Sequence, residues 1–338
     1  MSIGIDIGGT SVRAAVIDHD GEILASLRDT TPHTERETED ILVNLITKLA
    51  ATQTISAVGL AVAGFVSSDR QRVMFAPHLA WRDADVPARI SARVQLPVVM
   101  DHDVNSAAWA EHQHGASAGA RIALLIALGT GIGAGFIIDG EIYRGAFGVA
   151  PELGHLTVVP NGRPCPCGKR GCWERYCSGT ALAETARDLM VTGDAPVLRQ
   201  LSGNNPAAVT GTMVAIAATE GDPAALAAMD DHGHWLAPGM ALVSDVHDPE
   251  LIVVGGGVAS AAGMFLPLAV SGFAGLITGA GHRPMPRVEL ARFGDRAGII
   301  GAALLAAASQ SAGRPSVRLR RRRPSRRPPR LPAAARYR

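Results

Sequence analysis

Two stretches of the chain, GGTSVRAAVIDHDGEI at 8–23 and GTGIGAGFIIDGEI at 129–142, are two editions of one element. Each has a small-residue turn with a Gly-Thr pair, an apolar strand, an acidic turn and then Gly-Glu-Ile, and each follows a β-type run, SIGIDI or RIALLIAL. Strand signals on both sides of a glycine turn predict a β-hairpin in each place. A spacing of about 120 residues is far too long for a solenoid and predicts two related domains.

The flanking patterns agree. A helix is expected around 38–51, strands at 55–62 and 97–100, and a helix from about Val104. After the second hairpin come 151–159, a cysteine-rich loop, Ala-rich helices over 179–243, a strand at 251–254 and a last helix at 298–308. Strands alternating with helices in both halves predict α/β domains with a cleft between them. The expected division is a small α/β domain at 1–114, a larger α/β domain at 115–296, a helix at 297–313 packing back on the first, and an Arg/Pro-rich tail at 314–338.

With 338 residues and 47% hydrophobic content the chain can fill two cores. MSIGIDIGGT has no basic start, no apolar run of signal-peptide length and no small-residue cleavage site, so a cytoplasmic location is expected. Residues 122–138 and 251–282 imitate membrane spans, but glycines stud both and Pro267 interrupts the second. They read as buried strands, tight turns and apolar helices, and no membrane partner is expected. The net charge of +1 conceals a split: eleven of 32 basic residues and no acid lie in 314–338, leaving 21 basic against 31 acidic groups, a formal −10, in the body. Such a tail is expected to be disordered and to touch nucleic acid or another polyanion only non-specifically.

Glycine turns let backbone amides approach an anion without interference from a Cβ atom, so two of them on facing domains suit the phosphates of one nucleotide. There is no G-x-x-x-x-G-K-[ST], which excludes a P-loop enzyme, and GTGIGAG runs on into strand rather than helix, which argues against a dinucleotide fold. Three of the four cysteines fall within eight positions, Cys165, Cys167 and Cys172 in CPCGKRGC. In a reducing compartment this spacing favours a metal over a disulfide. Tetrahedral zinc needs a fourth ligand, and both His155 and Cys177 are near enough in sequence. Asp103, just beyond a strand end, suits a helix cap.

The chain resembles the ROK family of sugar kinases and repressors, in the actin/hexokinase/Hsp70 fold superfamily, and within it the bacterial ATP-dependent glucokinases. DIGGT at 6–10, LGTGIGAGFIIDGEIYRGAFGVAPELGH at 128–155, CPCGKRGCWE at 165–174, PELIVVGGGV at 249–258 and DRAGIIGAALLA at 295–306 carry the resemblance. It implies a duplicated two-domain α/β fold with an interdomain cleft, ATP and Mg²⁺ as cofactors with a structural Zn²⁺, and transfer of phosphate to the 6-hydroxyl of glucose. Asp103 is then the base, and Asp6, Gly8, Gly9 and Thr10 meet phosphate, with Asp6 reaching magnesium through water. Gly129, Thr130, Gly131 and Gly133 form the second phosphate loop, and Gly255, Gly256, Gly257 and Val258 the adenosine turn. The resemblance places Gly64, His102, Asp103, Glu152, His155 and Glu174 around the sugar, and selects His155 as the zinc ligand beside Cys165, Cys167 and Cys172.

Two positions depart from the family: His102 stands where Asn is usual before the base, and Ala63-Gly64 where Pro-Gly is usual. An imidazole cannot donate and accept as an amide does, so the preferred hexose is open. Kinases for another hexose or an N-acetylhexosamine, and polyphosphate as donor, are the alternatives within the enzyme class. A sugar-responsive repressor is the alternative outside it, disfavoured because DIGGT begins at residue 6 and leaves no room for a DNA-binding domain. The resemblance also implies a homodimer or a higher homo-oligomer.

Overall fold

The structure is a computed structural model and describes residues 1–312; the tail expected at 314–338 lies outside the described residues. The first half runs β1 (Ser2–Ile7), β2 (Ser11–Ile17), β3 (Ile23–Thr30), α1 (Glu35–Ala50), β4 (Ala57–Val62), three short strands β5 (Phe65–Val66), β6 (Val73–Phe75) and β7 (Arg82–Ala84), then α2 (Val86–Val94), β8 (Val98–His102) and α3 (Asp103–His114). The second half contains β9 (Ile122–Leu128), β10 (Ile132–Ile138), β11 (Glu141–Ile142), α4 (Gly179–Thr192), α5 (Pro196–Leu201), α6 (Gly211–Thr219), α7 (Pro223–His247), β12 (Leu251–Gly255), α8 (Ala262–Leu276), β13 (Arg287–Leu290) and α9 (Ala297–Ala312).

The internal repeat is reproduced strand for strand. One sheet has the order β3-β2-β1-β4-β8 and the other β11-β10-β9-β12-β13. In each, an antiparallel hairpin pairs on its inner edge with two successive parallel strands. The parallel strands β4 and β12 are buried along their whole length, which is why they read as unbroken apolar runs.

Each half has its own core. Ile3, Ile5, Leu60 and Trp81 anchor the first, with α1 laid against the sheet by Leu42, Leu45, Ile46 and Leu49. That spacing puts one apolar stripe on the helix, and each such side chain contributes about 1.5–3 kcal/mol on burial. Thr34 caps α1 by accepting from the Glu37 amide at 3.3 Å while its hydroxyl donates to the Glu37 carboxylate at 2.7 Å. The second core gathers Leu124, Phe136, Trp173, Leu236 and Phe265 between the sheet and the long helices. The two membrane-like runs resolve into this core: 122–138 is the β9–β10 hairpin, and 251–282 is β12, a glycine turn and α8. Residues 257–276 are long and apolar enough to cross a membrane by length and composition; Ala262, Phe265, Ala269 and Phe273 of α8 are buried, while most of the segment is not.

The last helix returns to the first sheet. A Cβ on Gly4 would stand 1.9 Å from the Ile299 carbonyl oxygen, and one on Gly59 1.8 Å from that of Ala302. On its other side Gly301 lies against the Ser106 carbonyl of α3, where a Cβ would stand 1.6 Å away. These three glycines let α9 touch β1, β4 and α3 backbone to backbone.

Candidate active site

The carboxyl ends of β1, β4 and β8 meet under the start of α9. Asp6, at the end of β1, accepts from Arg13 Nη2 at 2.6 Å, and Arg13 Nη1 also donates to Asp295 at 3.0 Å. Burial pushes the Asp6 carboxyl above the usual carboxylate range, against the pull of Arg13. Gly8 closes the turn through its amide to the Ser11 carbonyl at 3.1 Å, and Gly9 lies under His78, whose Cβ is 2.6 Å from where a Gly9 side chain would begin. Gly64 follows β4 and is pressed against Phe75 and Ala76 of the small sheet.

At the end of β8 three consecutive residues divide the work. Asp101 is buried and accepts from the His102 amide at 2.9 Å and from Asn105 at 3.0 Å. Asp103 opens α3, and its Oδ1 accepts from the Val104 amide at 2.8 Å. The cap position belongs to His102, so Asp103 is not the helix cap. His102 Nε2 lies 3.0 Å from the same Oδ1. Among the described residues no protein donor bonds Oδ2. A Cβ on Gly298 would be 3.7 Å from Asp6 Oδ1 and 3.8 Å from the Asp103 carbonyl, so α9 begins between the two acids.

The cysteine loop stands across from them. Gly168 and Gly171 take φ of 91° and 75°, folding the loop so that the Cys165 amide reaches the Lys169 carbonyl at 2.9 Å. Cys165, Cys167, Cys172 and His155 bring their ligand atoms within 4.8 Å of one another. Cys167 and Cys172 Sγ are 3.6 Å apart, and Cys165 Sγ is 3.7 Å from His155 Nδ1. Zinc with bonds of about 2.3 Å to sulfur places tetrahedral ligands roughly 3.8 Å apart, so donor set and spacing fit that ion. Burial holds the Cys165 and Cys172 thiols above the ordinary range, and a cation is what would make thiolates of them. All four cysteines are free. Cys177 is elsewhere, buried with its Sγ 3.8 Å from His232 Nε2, so between the two sequence candidates geometry groups His155 with the three thiols.

Trp173 explains why the loop runs into an aromatic residue. It is fully buried, its indole donates to the Trp235 carbonyl at 2.8 Å, and Gly239 on α7 makes room for the ring. The next residue, Glu174, is thereby held with Oε1 at 3.4 Å from His155 Nδ1 and 3.2 Å from Cys165 Sγ. The other ring nitrogen of His155 faces Glu152 Oε2 at 3.7 Å. Burial raises the Glu152 carboxyl, opposed by His102 and His155. Asp103, His102, Glu152, His155 and Glu174 therefore form one electrostatic cluster.

Beyond this cluster the second glycine turn leads into a cavity of about 650 Å³ lined by Gly129, Thr130, Gly257 and Val258. The turn is fixed from behind: the Gly179 amide donates to the Gly129 carbonyl at 2.7 Å and the Thr180 hydroxyl to the Thr130 carbonyl at 2.7 Å. Gly131 connects the turn to the acidic cluster, since a Cβ there would be 2.5 Å from Glu174 Oε2. Of the glycines expected in the second loop and the adenosine turn, four do not line the cavity: Gly131, which faces Glu174, and Gly133, Gly255 and Gly256. Gly133 lies inside β10 against α3, where a Cβ would be 2.4 Å from Val104 Cγ2. Gly255 ends β12, and Gly256, at φ 85°, packs on the Leu128 backbone. Residues not anticipated complete the wall: Thr180, Gly211, Thr212, Arg187 and Ser260. A signal for two of these segments exists, because SGT at 178–180 and TGT at 210–212 each set a capping hydroxyl before Gly-Thr at a helix start. Both helix starts face the cavity, which suits a polyanion.

The family model described as the ROK family matches residues 2–309. The glucokinase of Streptomyces coelicolor is 37% identical over 308 residues, covering 90% of this chain and 97% of that enzyme. A crystal structure of a ROK family glucokinase from Streptomyces griseus, in complex with glucose and AMPPNP, superposes with a TM-score of 0.83 at 38% identity, covering 91% of this chain and 99% of that one. The xylose repressor of Bacillus subtilis is 34% identical over 190 residues, 54% of this chain but only 49% of the repressor. The fold is the duplicated actin/hexokinase type that these relatives share, and the chain belongs to the ROK family.

Proposed function

We propose that the protein is a cytoplasmic glucokinase that transfers the γ-phosphate of ATP to the 6-hydroxyl of glucose. The observation that carries this reading is Asp103: at the start of α3 its carboxylate is felt electrostatically by both Glu152 and Asp6, and among the described residues no protein donor bonds its Oδ2. Phosphoryl transfer asks a protein mainly for positioning, charge compensation and a base. Asp103 takes the hydroxyl proton as the oxygen attacks. Glu152, Glu174, His102 and His155 hold the remaining hydroxyls, and Gly64 admits the sugar to the backbone. The glycine turns at 8–10 and 129–131 bind phosphate, while Gly257 and Val258 border the nucleoside. Asp6 would help to hold a magnesium ion, which would supply charge compensation for the transferred group.

The donor set of His155, Cys165, Cys167 and Cys172 would hold a structural zinc. Held to such an ion through Nδ1, His155 would keep Nε2 for the sugar, with its ring orientation set by that bond. The similarity spans 97% of the Streptomyces coelicolor glucokinase against 49–76% of the xylose repressors, which favours the enzyme over the regulator. A coupled assay of ADP formation across glucose, mannose, fructose and N-acetylated amino sugars, with ATP and then polyphosphate as donor, tests the reading. Glucose with ATP should dominate, and no phosphorylation of any hexose would sink it.

A further inference from the structure

Arg144 lies after β11, in the second half of the molecule, yet its guanidinium is spent on the first. Nε and Nη2 donate to Asp101 Oδ2 at 2.9 and 2.5 Å, while Nη1 stays with the Ile142 carbonyl at 3.3 Å. Asp101 is only 2% exposed, and its other oxygen takes the His102 amide and Asn105. The carboxylate thus has donors from β8, α3 and the opposite half. Arg144 also closes its own loop, since its carbonyl accepts the Ala150 amide at 3.2 Å, and Pro151 and Glu152 follow at once.

We infer that Asp101 and Arg144 are a positioning pair for the reaction, a charged tie that sets the distance between Asp103 on one half and Glu152 on the other. Neither touches the reacting atoms. Asp101 is two residues from the base and bonds the backbone that leads to it; Arg144 anchors the loop whose end carries Glu152. A charge-assisted fork constrains direction as well as distance, which a lysine in the same place would not do. The nucleotide cavity has no residue in the tie, so loosening it should be felt by the sugar and not by ATP. The inference rests on the reading of Asp103 as base and Glu152 as sugar ligand.

Truncating one partner would leave a buried charge alone and risks unfolding the protein, so the test uses variants that keep size and polarity. Arg144→Lys keeps the charge without the fork, and Asp101→Asn keeps the acceptor for the His102 amide. Each should raise the KM for glucose about five- to tenfold and lower kcat, with the KM for ATP within about twofold of wild type. The double variant should be no worse than the worse single one, because both changes break the same contact. Independent, multiplying effects would overturn the inference. So would a fall in kcat that tracks the loss of folded protein with both KM values unchanged, the signature of a merely structural pair. Asp103→Asn is measured alongside: wild-type turnover in that variant would remove the base while leaving the glucose KM of Arg144→Lys as an independent reading of the tie.

Discussion

The two halves share a sheet order and a glycine hairpin, and they differ in what is built on them. In the first half the hairpin passes to its helix through residues 31–34, four positions between β3 and α1. In the second the equivalent link runs from 143 to 178, between β11 and α4, and it contains Arg144, Glu152, His155, the cysteine loop and Glu174. On the proposed reading the duplicated frame supplies the phosphate turns, while most of the proposed sugar ligands are inserted where the first half has four residues. A repeated fold can change specificity without disturbing its hairpins.

If that division is right, the largest effect should come from the one reacting group the frame itself carries. Asp103→Asn should lower kcat about a thousandfold with the fold intact, checked by steady-state turnover beside a melting curve. Retained turnover would move the chemistry into the insertion and break the comparison.

Acid should separate the halves next. His232, in the second core, is buried against Phe265 and Cys177, and burial pulls it down to about 4. A group so depressed contributes stability that is complete above the ordinary histidine range and is lost as pH falls from about 6.5 towards 4, about 3 kcal/mol in all. Among the described residues the first core has no buried histidine. Hydrogen exchange at pH 7 and pH 5 should show α7 and α8 loosening before β1 and β4, and His232→Leu should flatten the difference.

Removing metal should act on the insertion alone. Cys167→Ser, or dialysis against a strong chelator, should weaken glucose binding about ten- to a hundredfold while ATP binding changes little. Equal affinity in protein shown by elemental analysis to be free of zinc would separate the loop from the sugar.

The finest contrast is between the two turns. A methyl on Gly131 would displace Glu174, whereas one on Gly8 meets only the Ser11 carbonyl at an ordinary 3.6 Å. Gly131→Ala should raise the glucose KM about threefold, and Gly8→Ala should leave it unchanged in the same assay.

What was legible in the sequence was what is local or repeated. Hairpins, strand ends, the start of α3 within one residue and the three thiols of CPCGKRGC all follow from patterns within a dozen positions. Less legible was what depends on distant segments meeting. Arg144 gives no hint of Asp101, 43 positions away, and the cavity wall from α4 and α6 needs the long helices to be placed first. Gly133 shows the opposite failure: a glycine inside a phosphate-loop pattern is there because Val104 packs on it. The short strands β5, β6 and β7 span only two or three residues each, too few for an alternating pattern to mark them.

The position of α9 has a consequence for synthesis. Its backbone covers Gly4 and Gly59 of the first sheet, so the strands made first wait for the helix made last. On the ribosome the opening domain must sit with one face bare while some 200 further residues emerge, at about 5–20 residues per second. The main core of the second half, between its sheet and the long helices, is complete before residue 297 and can close beforehand, although Leu305 of α9 still joins the other face of that sheet. Nascent chains stopped short of residue 297 should thus be protected in the second half and held open to protease and chaperone in the first.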